Sequence, residues 1–102
     1  MDESNIRNHA VLRGIFAAAP AFSHMSRGER FFIFPVETRR LSGTADTINV
    51  IARESLLRSA EIMEAGRIQV TGELRSFNNK RGEGARLVIT VFAKELGFTD
   101  GE

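Results

Sequence analysis

The hydrophobic pattern of the sequence changes its period twice, and this change restricts the chain to few folds. In the first half, apolar residues alternate or form short runs, which is typical of strands. In ESLLRSAEIMEAG, residues 54–66, Leu56, Ala60 and Met63 recur at helical spacing and predict an amphipathic helix. Alternation then returns. The predicted order is therefore three strands, one helix and two strands.

Each predicted strand is a short segment bounded by glycine, proline or polar turn residues. The five segments are residues 9–19, 30–40, 47–53, 67–79 and 86–96. Gly14 indicates a bend or bulge in the first strand, and Pro35 indicates an edge or a bulge in the second. Residues 21–29 have a loop composition, and residues 80–85, which include two glycines, are typical of a hairpin loop.

Strand alternation also predicts which side chains enter the core. In the fourth strand, Ile68, Val70 and Leu74 share one face. Arg75 and Phe77 share the opposite, polar face. The other residues expected in the core are Phe31, Phe32, Phe34, Ile48, Val50, Ala52, Leu87, Ile89, Val91 and Ala93.

A short helix between the third and fourth of five strands is the arrangement of the OB-fold. This all-β, five-stranded Greek-key barrel binds oligonucleotides and oligosaccharides on one strand face and its neighbouring loops. A five-stranded sandwich or an SH3-like barrel is the alternative, but neither has a three-turn helix at that point. We expect an OB-fold domain over residues 8–96, a flexible N-terminus over residues 1–7 and a short tail over residues 97–102.

Composition excludes several classes of protein. The 102 residues fit one domain, and an apolar fraction of 42% is too high for a disordered chain. No apolar run is long enough for a membrane span, and the acidic, polar start is unlike a secretory signal. The absence of cysteine excludes disulfides and thiolate chemistry. A cytoplasmic protein is therefore expected.

The charge of the chain is unevenly distributed. The net charge is only +1, but residues 5–94 carry 14 bases against 8 acids. Twelve of the 14 bases are arginine, which binds phosphate through two hydrogen bonds at once and stacks on flat rings. This pattern favours a nucleic-acid partner, with an ordinary solvated surface as the alternative.

The segment RSFNNKR, residues 75–81, is the strongest candidate for such a partner. Phe77 on a polar face is suited to stacking against a base, and the cations around it are suited to phosphates. The alternative is that Phe77 packs under the hairpin or in a subunit interface. Basic residues at strand ends complete the candidate nucleic-acid-binding set, which is Arg39, Arg40, Arg53, Arg75, Phe77, Asn79, Lys80, Arg81 and Arg86.

Catalysis and metal binding are not expected. His9 and His24 are the only histidines and are too few for a metal site. Ser23 and His24 are adjacent, but no acid orients them as a nucleophile and base. We therefore expect no enzyme activity, no metal and no cofactor.

The chain resembles the bacterial single-stranded DNA-binding protein family. The segments that carry the resemblance are NHAVLRGIF, GERFFIFPVETRRLSG, DTINVIARESLL, GRIQVTGELRSFNN and RLVITVFAKEL, which together span residues 8–96. The resemblance implies an OB-fold homotetramer or dimer that binds single-stranded DNA without sequence preference in replication, repair or recombination, and a nucleoid-associated location. The dimeric primosomal replication protein N is a close alternative, and an OB-fold assembly domain that binds protein rather than DNA is another.

The resemblance implies a role for particular residues. Arg75, Phe77 and Asn79 fall on the fourth-strand segment that contacts DNA in the family. Arg39 and Arg40 fall near the end of the second strand, where the family often has an aromatic residue that stacks on bases.

The chain also departs from the family in two ways. It has no tryptophan, and Arg40, Ile51 and Asn79 stand near the family's tryptophan positions, so we expect binding to depend more on arginine. The family usually ends in a flexible linker and an acidic tip, whereas this sequence ends in Phe98-Thr-Asp-Gly-Glu102. Recruitment of partner enzymes through a C-terminal tip is therefore not expected.

The apolar content of two strands predicts self-association. Val11, Ile15 and Phe16 in the first strand, and Phe92 on the non-core side of the last, exceed what one small barrel needs. Because surplus apolar surface and strand edges are usually covered, we expect a homotetramer or a dimer.

Overall fold

The strands of the protein form one sheet that closes on itself. The computed structural model describes residues 8–60, 66–79 and 86–99. Within these residues the elements are β1 (Ala10–Phe16), β2 (Ala21–Ser26), β3 (Glu29–Arg39), β4 (Ala45–Arg53), α1 (Glu54–Ala60), β5 (Arg67–Asn79) and β6 (Arg86–Thr99). In this described part no helix is long and apolar enough to cross a membrane.

The order of the strands in the sheet is β1-β5-β6-β4-β3-β2, and β1 also pairs with β3. This second pairing closes a barrel of five strands, with β2 added at the outer edge of β3. The β4–β6 pair is parallel and the other pairs are antiparallel. With α1 between β4 and β5, this is the predicted OB-fold, and that prediction is confirmed.

The core fills the inside of this barrel. Its buried side chains are Phe16, Phe34, Val36, Val50, Ala52, Ile68, Val70, Val91 and Ala93. The rings of Phe16 and Phe34 lie 5.0 Å apart, and Leu56 and Leu57 of α1 pack against the same cluster. Full burial of one such large side chain contributes about 1.5–3 kcal/mol. The prediction that Phe16 is surplus to the barrel was therefore wrong, because Phe16 lies at the centre of the core.

The prediction of a loop over residues 21–29 was also wrong. Residues 21–26 form β2, which runs antiparallel to β3 after a turn at Arg27 and Gly28. Both turn residues have positive φ angles, 52° and 80°, as a two-residue hairpin turn requires. The serines that indicated a loop are tolerated because β2 is an edge strand.

Leu74 and Ile89 were predicted to be buried, but they are 48% and 55% exposed. Their side of the strand was predicted correctly, because Leu74 lies opposite the buried Val91. Pairing of β5 with β6 continues past the end of the barrel, however, where no core remains to cover them. The side chain of Leu87 lies outside the described residues.

Pro35 lies where β3 changes its neighbour. On one side β3 pairs with β2 up to Ile33 and with β1 from Val36 onward. The Pro35 carbonyl accepts a hydrogen bond from Ala17 on this side, at 3.1 Å. The proline nitrogen faces the same gap, where no strand needs a donor. The register between β3 and β4 continues through Pro35. The proline therefore marks neither a bulge nor an outer edge of the sheet.

Gly14 allows β1 to reach β3. It produces no register shift with β5, so the predicted bulge is absent there. A Cβ at this position would collide with the Glu37 carbonyl oxygen and would lie 2.8 Å from Cγ1 of Val36. The absence of a side chain therefore permits the closing contact of the barrel.

We expect Gly14→Ala to lower the free energy of unfolding by about 1–3 kcal/mol, the usual effect of overpacking a tight site. The matched control is Gly97→Ala in β6, where a Cβ would meet nothing within 4 Å. Urea unfolding of both variants measures the effect. Equal stability of the two variants would show that the approach at Gly14 is not tight.

Candidate nucleic-acid interface

Four flat side chains lie in a row on the outer face of the sheet, opposite the core. Phe31 of β3 and Phe92 of β6 are on this face because they alternate with buried residues of the same strands. Arg75 of β5 and His24 of β2 stand at the two ends. We call Arg75, Phe92, Phe31 and His24 the aromatic row.

The members of the aromatic row are in direct contact. The guanidinium carbon of Arg75 lies 4.0 Å from the centre of the Phe92 ring, a cation–π contact. The centres of the Phe92 and Phe31 rings are 5.8 Å apart, and this contact bridges β4, which lies between their two strands in the sheet. The His24 ring is stacked on Phe31 at 4.8 Å with an interplanar angle of 1°. Side chains from four strands thus form one chain of contacts across the outer face, in which Phe31 is covered by its two neighbours.

Phe31 was predicted to be a core residue, and it is buried, but on the outer face of the sheet and not inside the barrel. It is only 7% exposed, but it does not belong to the core cluster. Its burial comes from His24 and Phe92, which cover it on the outer face. Phe34 does lie in the core, whereas Phe32 is half-buried and meets Phe22 edge-on at 5.9 Å.

Cations flank the aromatic row on both sides, each near a carboxylate. Arg53 is the cross-strand partner of Phe31 and lies 3.9 Å from Glu29. Arg75 and Lys94 share Glu73, at 3.2 and 3.6 Å. The hydrogen bond from Arg75, together with the charge of Lys94, holds the pKa of Glu73 below its usual value. All three cations keep about half of their side-chain surface exposed, at 47–53%.

A buried hydroxyl lies next to the aromatic row. Thr90 of β6 is 2% exposed and pairs with Arg75 on one side and Asn49 on the other. Within the described part of the chain, its Oγ1 has no hydrogen-bond partner. An unsatisfied buried hydroxyl is unfavourable by about 1–3 kcal/mol, so Thr90 lowers the stability of the sheet at this point.

The structure brings some of the sequence-predicted site residues together and separates others. Arg75 and Arg53 lie at the aromatic row, whereas Arg39 is at the far end of β3, beside Arg67. Arg40 binds both carboxylate oxygens of Asp46, at 2.8 and 3.0 Å, and this hydrogen bonding lowers the pKa of Asp46. Lys80 and Arg81, and the side chains of Phe77, Asn79 and Arg86, lie outside the described residues.

Sequence reasoning missed three members of the aromatic row. Alternation did indicate that Phe92 faces away from the core, but its exposure was assigned to an oligomer interface. His24 was considered only as a metal ligand or catalytic base, in a segment taken for a loop. In residues 8–60, 66–79 and 86–99, no three potential ligands come together as a metal site.

Comparison with solved structures gives the same fold. The chain is similar to the N-terminal domain of the PriB protein from Thermoanaerobacter tencongensis, a dimeric structure, with 33% identity and a TM-score of 0.75. That match covers 90% of this chain and 96% of the other. No protein-family model and no curated protein matches the chain.

Two more distant structures have the same fold. The Plasmodium falciparum SSB in complex with single-stranded DNA shares 16% identity at a TM-score of 0.76, covering 98% of this chain and 100% of the other. The small single-stranded DNA-binding protein from Streptomyces coelicolor shares 19% identity at a TM-score of 0.68. That match covers 92% of this chain and 96% of the other.

The closed barrel and its flat outer face define an OB-fold binding protein. At 33% identity over 96% of the PriB domain, the chain belongs to the family of that protein. The predicted resemblance to single-stranded DNA-binding proteins, with PriB as a close relative, is confirmed.

Proposed function

We propose that the protein binds single-stranded DNA without sequence preference, as a replication protein that does not change the DNA chemically. The aromatic row is the observation that carries this proposal. Every base has a flat face, so a stack of rings and guanidinium groups accepts any sequence. The bound DNA of the Plasmodium SSB, which has the same fold, supports the choice of ligand.

In this proposal the strand crosses the sheet along the aromatic row. His24 is exposed at one end, and Arg75 covers the half-buried Phe92 at the other. A base can stack on the guanidinium plane of Arg75 or displace it to reach the Phe92 ring. Arg53 and Lys94, on either side, are suited to the phosphates.

The sequence-predicted residues of the β5–β6 hairpin extend this path. The backbone of Phe77 lies two residues beyond Arg75 in β5, opposite Val88. The stacking role of Phe77, which rests on strand alternation in the sequence, stays a prediction. Lys80 and Arg81 would then follow the strand of DNA as it leaves the sheet.

A variant without the central ring tests the aromatic row. Phe92→Leu keeps an apolar side chain under Arg75 but removes the ring, so oligo-dT binding should weaken by about 1–3 kcal/mol. The matched control is Phe22→Leu, an exposed phenylalanine on the opposite face of β2. Because the chain has no tryptophan or tyrosine, binding is measured by fluorescence anisotropy of a labelled oligonucleotide.

The control should bind as the wild type does, and both variants should keep the wild-type melting temperature within a few degrees. Equal affinity of Phe92→Leu and Phe22→Leu would contradict a role for the aromatic row. If Phe92→Leu loses both binding and folding, Arg75→Ala is the second test, because it removes an exposed group of the same row without disturbing the packing of the rings.

Glu73 opposes DNA binding in this arrangement. The carboxylate is charged at neutral pH, where it competes with phosphates for Arg75 and Lys94, and its lowered pKa extends this competition to more acidic pH. We expect Glu73→Gln to bind oligo-dT more tightly and with a steeper salt dependence, by about 0.7 in log–log slope for each cation freed for a phosphate. The control Glu54→Gln removes the same charge from the Glu54–Arg58 pair of the helix. Weaker binding by Glu73→Gln would show that the carboxylate orients these cations rather than opposing the ligand.

We also propose that the protein self-associates through β1. Between Ala10 and Gly14, β1 pairs with β5 on one side and has no partner strand on the other among the described residues. Val11 is 55% exposed there, and an edge strand with apolar side chains is usually covered. The dimeric PriB domain supports a dimer as the basic unit, and the homotetramer expected from the sequence stays a prediction.

Sedimentation equilibrium at tens of micromolar tests this interface. The wild type should have a mass that is a multiple of 11.3 kDa, and Val11→Glu should lower it. Met25→Glu in β2 is the control, since Met25 is 57% exposed on the other edge strand. A monomeric wild type would overturn the proposal, and a loss of mass only in Met25→Glu would move the interface to β2.

A further inference from the structure

A second cationic site lies at the far end of the sheet from the aromatic row. Where β1 runs between β3 and β5, the surface encloses a cavity of about 430 Å³. Three arginines from three strands line it, namely Arg13, Arg39 and Arg67. Glu37 supplies the only carboxylate among its described lining residues, so the cavity has two more positive than negative groups.

The arginines of this cavity differ from the cations of the aromatic row in how they are paired. Among the described residues the basic side chains in ion pairs are Arg40, Arg53, Arg58, Arg75 and Lys94. In the same part of the chain, none of the three cavity arginines forms an ion pair. The side chain of Arg13 donates to the neutral Gln69 at 2.6 Å. The positive charge of the cavity is thus left for an anion from outside the chain.

The cavity is separate from the aromatic row but lies on the same outer face. Arg39 is eight residues from Phe31 along β3, and Arg67 is eight residues from Arg75 along β5. At about 3.3 Å per residue, both strands give a separation of roughly 26 Å. Because eight is an even number, strand alternation keeps the cavity arginines on the outer side.

The lining fits a ligand with both a phosphate and an apolar ring. Guanidinium groups match phosphate oxygens with paired hydrogen bonds. Ile15, which is 39% exposed, adds apolar surface beside them. The volume falls within the roughly 300–1,000 Å³ of small-molecule sites.

We infer that this cavity holds a nucleotide of the same single strand after the strand has left the aromatic row. This inference rests on the proposed function, and it adds a second contact that a short oligonucleotide cannot reach while it is bound at the row. The cavity therefore contributes to the affinity for long single strands and not for short ones.

The experiment compares two lengths of labelled oligo-dT, about 4 and about 16 nucleotides, the two ends of the range of site sizes per OB-fold. Arg39→Gln and Arg67→Gln are titrated over a salt series beside the wild type. The control Arg58→Gln removes one arginine charge from the helix, outside both sites. Melting temperature and sedimentation mass are measured for each variant, so that changes in folding or assembly are detected.

For the long oligonucleotide, each cavity variant should lower the slope of log affinity against log salt by about 0.7, the loss of one phosphate contact. The short oligonucleotide should bind to the cavity variants as to the wild type, and Arg58→Gln should change neither slope. An unchanged long-strand slope, or equal losses at both lengths, would overturn the inference while the proposed function stands. A wild type that binds neither oligonucleotide would overturn both.

Competition with inorganic pyrophosphate shows whether the ligand of the cavity is the DNA strand or a free anion. Pyrophosphate should compete with the long oligonucleotide for the wild type more strongly than for Arg39→Gln. If pyrophosphate binds the wild type and not Arg39→Gln, but long-strand binding is the same in both, the cavity is a site for a free anion and the inference is overturned.

Discussion

The barrel exists only because β1 pairs with β5 and β3 at the same time. The contact that permits this is the close approach of Gly14 to the backbone at Glu37. Closure brings Phe16 onto Phe34 and sets the inner side of every barrel strand. Once the inner side is fixed, alternation fixes the outer side as well, so the same contact determines which residues can meet a ligand.

The outer face has two cationic sites, which differ in whether their basic side chains form ion pairs. At the aromatic row each cation is near a carboxylate, as Arg75 and Lys94 are near Glu73. Such exposed pairs contribute little to stability, usually below about 1 kcal/mol, but they keep the side chains ordered and lower the local field. At the β1–β3 junction the arginines are not neutralised in this way, so the attraction for anions is stronger there and more sensitive to salt.

The fold could be predicted from the sequence because the change of period between residues 54 and 66 is a local signal. The outer face could not, because its central contact joins Phe31 and Phe92, which are distant in the chain. His24 and Phe31 meet only if residues 21–26 form a strand, and their serines indicated a loop. Phe31 was assigned to the core with Phe34, although alternation in β3 places the two on opposite sides. For Leu74 the predicted side of the strand was correct but the predicted burial was not. Its burial depends on where the barrel ends, which is set by the pairing of strands and not by local sequence.

The members of the aromatic row come from positions 24, 31, 75 and 92, so the row spans most of the chain. The central contact of the row, between Phe31 and Phe92, cannot persist in a chain whose N-terminal and C-terminal strands have separated. A ligand that needs the whole row therefore binds the closed barrel and not the open chain. By linkage, such a ligand raises the free energy of unfolding by RT ln(1 + [L]/Kd), because it binds only when the two halves of the chain are packed together.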